Sequence, residues 1–187
     1  MKKLHRIVAF MLVAITMSIG LTACNQDETI GYTVNAASVA RAGAELHITY
    51  DSVAALVATS LNSYSAEEQQ RLHQVHNAIN ALRTAVEQFD ATDTTSAVVS
   101  VNDVRLLYRQ AKSAYINARA IIDPKLANMP AGKRQAILRF DEQAQALDKS
   151  VATLLKTPDG RDISATVDRV ISIAAIGVRM AISTGAI

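Results

Sequence analysis

Apolar residues recur at alternating steps of three and four along three separate stretches of this chain. That spacing restricts the fold more than any other feature. Leu72, Val75, Ile79, Leu82, Val86 and Phe89 form one series. Val101, Val104, Tyr108, Ala111, Tyr115, Ala118 and Ile122 form the second, and Ile137, Phe140, Ala144, Leu147, Val151 and Leu154 the third. A period near 3.6 puts each series on one face of a helix. Helices striped in this way bury their stripes against one another, nearly parallel or antiparallel. The spacing predicts helices over 66–90, 101–122 and 131–156. The expected class is all-α, a single bundle of four to five helices within residues 36–187.

The local signals agree. Ser65-Ala66-Glu67-Glu68 has the form of a capping box, with Ser65 as N-cap and Glu68 at N3. The third helix follows Ser100-Val101-Asn102-Asp103, and Asp123-Pro124 breaks it. Asn128-Met129-Pro130-Ala131-Gly132 opens the fourth, and Thr157-Pro158-Asp159-Gly160 is a turn before the last. A first helix over 37–62 is less regular, with Val39, Gly43, Leu46, Tyr50, Val53 and Val57 on its seam. No stretch alternates with period two for long enough to suggest a sheet.

The last helix, 163–184, differs from the rest. Asp168, Ser172, Arg179 and Ser183 share one narrow stripe, and nearly everything else is apolar. Such a helix is surrounded by neighbours, faces a partner, or enters a bilayer. The candidate interface comprises Ile173, Ile176, Gly177, Met180 and Ala181. Gly177, Ala181 and Gly185 repeat at four-residue spacing, which admits a close backbone. A membrane span over 170–187 would carry Arg179 near its middle, at a cost of roughly 2.5–3.5 kcal/mol.

The amino-terminal region constrains location. Lys2, Lys3 and Arg6 precede an apolar run from Ile7 to Leu21, broken only by Thr16 and Ser18. A basic start, an apolar run and small residues before a cut site describe a secretory signal peptide, residues 1–23. The run is short for a transmembrane helix. It ends in Leu21-Thr22-Ala23-Cys24, which resembles the lipobox of bacterial lipoproteins: an aliphatic residue, two small residues, then Cys. The resemblance implies cleavage between Ala23 and Cys24. It also implies diacylglycerol on the Cys24 sulfur and an acyl chain, typically palmitate, on the new amino terminus. Asn25 is not the aspartate that retains such proteins at the inner membrane in enterobacteria. The resemblance therefore favours the periplasmic side of the outer membrane. Residues 24–35, from the lipidated cysteine through NQDETIGYTVN, read as a flexible tether.

Removal of the signal changes what the composition means. The chain has 187 residues and a formal net charge of +2, from 19 basic and 17 acidic side chains. Lys2, Lys3 and Arg6 leave with the signal and no acid does, so the mature balance is slightly acidic. That argues against nucleic acid as a partner. Cys24 is the only cysteine. Its lipidation leaves no thiol for a disulfide, a nucleophile or a zinc site.

The remaining chemistry-bearing residues form no established motif. His73 and His76 could share a metal on the second helix, with His47 as a third ligand if the helices align. No Glu-x-x-His accompanies them. Lys125, Lys133, Arg134 and Arg139 cluster at one corner, where lipid phosphate or another acidic partner competes with solvation and with Asp123, Asp141 and Glu142. Gly132-Lys133-Arg134 lacks the spacing of a phosphate loop, and Asp159-Gly160-Arg161-Asp162 lacks that of a calcium loop. No serine sits in a nucleophile motif. Tyr108 and Tyr115 read as core residues whose hydroxyls reach its edge.

The expected protein is a non-enzymatic, membrane-anchored lipoprotein of the periplasmic envelope. It needs no cofactor beyond its covalent lipid. Its partner is an envelope protein or a second copy, with no small-molecule substrate evident. Its layout is similar to that of phage- or plasmid-borne exclusion and immunity lipoproteins. A spanin-like lysis protein would need the last helix in a membrane. A metal-binding protein using His73 and His76 is the alternative from another class.

Overall fold

The structure is a computed structural model, described over residues 31–59, 64–89, 96–156 and 162–183. A short strand β1 (Gly31–Asn35) runs into helix α1 (Ala36–Thr59), and α2 (Ala66–Glu87) follows. A second strand β2 (Ser96–Ser100) leads directly into α3 (Val101–Ile122). A 3-10 segment (Asp123–Asn128), α4 (Ala131–Leu154) and α5 (Ser164–Ser183) complete the chain. The class is all-α, a bundle of five helices with one two-stranded sheet.

The helix ends follow from local chemistry. The Ser65 hydroxyl accepts from the Glu68 amide, and the Glu68 carboxylate accepts from the Ser65 amide at 2.8 Å. Ser100 and Asp103 form the same reciprocal pair at the start of α3. Two of the amide donors left over at each helix start are satisfied in this way. Pro124 opens the 3-10 segment. Met129 is extended because Pro130 disfavours helical backbone before it.

Helix neighbours define the layout. α1 packs on α2, α2 on α3, α3 on α5, and α5 back on α1. These four close a ring, and α4 lies outside it against α5. Burial follows the same division. α5 buries side chains around most of its circumference, whereas α4 buries only Ile137, Ala144 and Val151. The wide apolar surface of α5 is therefore the inner wall of the bundle.

The sheet was not expected. β1 and β2 pair antiparallel, with Gly31 opposite Ser100 and Asn35 opposite Ser96. Residues 31–35 thus belong to the folded domain and not to a tether. Tyr32 and Val34 are buried, while Thr33 and Asn35 between and after them are not. This is period-two alternation, too short over five residues to stand out. The strand is tied to α5 as well: the Ile163 amide donates to the Thr33 carbonyl at 2.9 Å. Asn35 donates to the Ser164 hydroxyl from both its backbone and its side chain, each at 2.9 Å. Consequently α1, α3 and α5 all start from the sheet end of the bundle.

Candidate functional site

Lys2 through Cys24, with the expected cleavage site at Ala23 and Cys24, lie outside the described residues. So do Gly185 and the turn Thr157–Gly160.

Ile173, Ile176, Gly177, Met180 and Ala181 are all buried within the bundle. They face the chain's own helices and do not present a surface to a partner. The close approach read from Gly177 is real but internal: a Cβ there would lie 2.9 Å from Tyr115 Cα in α3. Arg179 is exposed and reaches Glu45 of α1 at 3.4 Å. Among the described residues no helix is long and apolar enough to cross a membrane.

The histidines do not converge on a centre. His47 is exposed and lies 3.5 Å from Asp51 of its own helix. His73 is exposed, and the His76 ring packs on Tyr50 with centroids 4.8 Å apart. Arg83 covers the same Tyr50 ring at 4.4 Å. Among the described residues no three His, Cys, Asp or Glu side chains gather as a metal site would require.

The basic corner separates. Lys125 turns inward, pairing with Glu68 at 2.8 Å and lying 4.5 Å from the Tyr64 ring centroid. The Lys125 hydrogen bond, together with those from Ser65, holds the Glu68 carboxyl below its ordinary value. Burial, then the nearby Glu68 charge, raises the Tyr64 hydroxyl. Lys133, Arg134 and Arg139 remain exposed on α4. Asp123 and Asp141 are taken by Arg119 instead, at 2.7 and 3.5 Å.

α3 and α4 are joined by two tyrosine–aspartate pairs. The Tyr108 hydroxyl donates to Asp148 at 2.6 Å, and Lys112 donates to the other carboxylate oxygen at 3.1 Å. One level up, the Tyr115 hydroxyl donates to Asp141, which Arg119 also faces. Burial first, and then the paired carboxylate, pushes both hydroxyls above the usual tyrosine range. The Asp148 hydrogen bond likewise raises the Lys112 ammonium. The two tyrosines thus lie at the core edge, as their seam positions imply. Their partners on α4 are polar, so this side of α4 is held by hydrogen bonds, whereas Ile137, Ala144 and Val151 bury its apolar face.

Below these pairs the two helices part into an open groove of about 480 Å³. Asn102, Arg105, Tyr108 and Arg109 of α3 line one wall, and Ala152 and Leu155 the other. Spacing alone did not mark it, because its residues are split between two helices. The signal available in the sequence was the Arg105–Arg109 step of four.

By fold the chain is an all-α, five-helix bundle. In comparisons with known proteins, no family model, curated protein or solved structure matches it.

Proposed function

We propose that this chain is a lipoprotein of the bacterial envelope, anchored through Cys24 on the periplasmic side of the outer membrane, and that its helical domain works by binding and not by catalysis. One observation carries the reading: a basic start, an apolar run and Leu21-Thr22-Ala23-Cys24 occur in the order that lipoprotein processing requires. One chain anchors weakly and two or three anchor durably, at about 0.8 kcal/mol per buried CH₂. The course of β1 fits such an anchor. Six residues lie between Cys24 and Gly31, and the seven steps across them reach roughly 23–25 Å. On this reading the domain works beside its own bilayer, on a protein or surface that comes to it.

Expression in a Gram-negative host with labelled palmitate tests the reading. The expected product begins at Cys24 and carries the mass of a diacylglyceryl group plus an amide-linked acyl chain. Cys24→Ser is expected to abolish labelling and leave residues 1–23 in place. A mature chain with a bare Cys24 thiol would overturn the proposal.

A further inference from the structure

The flank shared by α3 and α4 carries charge that no acid among the described residues pairs with. On α3, Arg105, Arg109, Lys112 and Ile116 follow at steps of four, three and four, and so form one stripe. On α4, Arg134, Leu138, Glu142, Gln145 and Lys149 form another at steps of three or four, and Lys156 follows just past the helix end. Arg105, Arg109, Arg134, Lys149 and Lys156 are exposed, and among the described residues none has an acidic partner. The acids nearby are engaged elsewhere: Asp103 in the α3 capping box, Asp141 with Tyr115 and Arg119, Asp148 with Tyr108 and Lys112. Glu142 is the one carboxylate left on the stripes. The flank also holds exposed aliphatic side chains, Ile116 at 51% and Leu138 at 44%. Cations interleaved with exposed aliphatics are the composition of a surface that lies in a lipid interface.

The chain's route places this flank beside its anchor. Gly31 pairs with Ser100, the N-cap of α3. Arg105 and Arg109 stand roughly 8 and 14 Å further along the axis. The Tyr108–Asp148 and Tyr115–Asp141 pairs show that α4 runs antiparallel to α3. Lys149 and Lys156 therefore flank the open groove at the same end. We propose that the α3–α4 flank docks the domain flat on an anionic phospholipid surface, with the groove at Arg105 and Arg109 receiving headgroup phosphate. This rests on the lipoprotein reading for its geometry.

The test uses the full chain purified from host membranes. If Cys24 is acylated, a cysteine placed at Ile116 or Leu138 is the only free thiol and can carry a fluorophore. His73→Cys on α2 serves as a probe outside the flank. The samples are phosphatidylcholine vesicles containing a spin-labelled quencher lipid, with and without phosphatidylglycerol. Quenching at 116 and 138, but not at 73, is expected only with phosphatidylglycerol, and high salt should remove it. Arg105→Gln with Arg109→Gln is expected to lower the docking equilibrium roughly 25-fold, at roughly fivefold per cation. Equal quenching at all three positions, or no dependence on anionic lipid or salt, would overturn the proposal. Intact mass of the same preparation reports on Cys24 independently. Acylated protein without selective quenching sinks the docking surface alone; an unmodified Cys24 thiol sinks the anchor, and the same probes are then read in a Cys24→Ser background, where selective quenching supports the docking surface and its absence sinks it.

Discussion

Gly177 of α5 rests on the backbone of Tyr115 in α3, where an added Cβ would meet Tyr115 Cα at 2.9 Å and Ala118 Cβ at 3.5 Å. The obstacle is main chain, so relief requires the two helices to separate. Overpacking of this kind costs about 1–3 kcal/mol. Gly177→Ala is therefore expected to destabilise the protein despite alanine's better helix propensity. Gly43 in α1 has nothing within 4 Å of the same added atom. Gly43→Ala is expected to stabilise by about 0.5–1 kcal/mol. Urea unfolding of the two variants side by side checks the opposite signs.

The Glu68–Lys125 contact ties the start of α2 to the 3-10 segment. The folded Glu68 carboxyl titrates below its ordinary value, so its stabilisation is fully present above the unfolded pKa of about 4.3. It is lost as pH falls through the lowered folded value. Glu68→Gln is expected to melt at a lower temperature than wild type at neutral pH, and the gap should close on acidification. Thermal melts followed by circular dichroism across the acid range measure it.

Tyr64, Tyr108 and Tyr115 all titrate above the ordinary tyrosine value. For each, the contribution to stability is fully present below the unfolded pKa of about 10 and lost as pH rises through the raised folded value. Their ionisation is expected to coincide with alkaline unfolding. Absorbance of tyrosinate and far-ultraviolet circular dichroism recorded on one titration test this. Tyr115→Phe is expected to remove one delayed tyrosine and to cost about 1 kcal/mol at neutral pH, through the lost hydrogen bond to Asp141.

Asn35 joins three elements. Its carboxamide oxygen accepts from the Ser38 amide at 2.8 Å, capping α1, while its amides hold Ser164 at the start of α5. Asp162 accepts from Ser164 in turn, and that bonding lowers its pKa. Asn35→Ala is expected to cost about 1–2 kcal/mol, the loss of a cap. It should also speed proteolysis near Gly31, since the strand keeps the Ile163–Thr33 bond but loses the side-chain tie of Asn35 to Ser164. Limited digestion with mass mapping of the first cut site distinguishes this from a general loss of stability.

The seams of α2, α3 and α4 were legible because helix periodicity is a local property. Each apolar step of three or four already states which face is buried, and both capping boxes lie within four consecutive residues. Five residues of strand carry too little alternation to be read alone, and β1 exists because β2, some sixty residues away, supplies its hydrogen bonds. The role of α5 was open for a related reason. A helix apolar all round suits a bundle centre, an interface or a bilayer equally well, and its composition is identical in each.

Sequence by itself determined the helical class and most helix ends, which depend on residues close together along the chain. Tertiary structure alone decided that α5 is enclosed by its own neighbours, that His47, His73 and His76 do not converge, and that Arg105, Arg109, Lys149 and Lys156 share one flank. Those outcomes depend on which helices lie side by side. That is set by the summed packing of many apolar contacts distant in sequence, which no single stretch encodes.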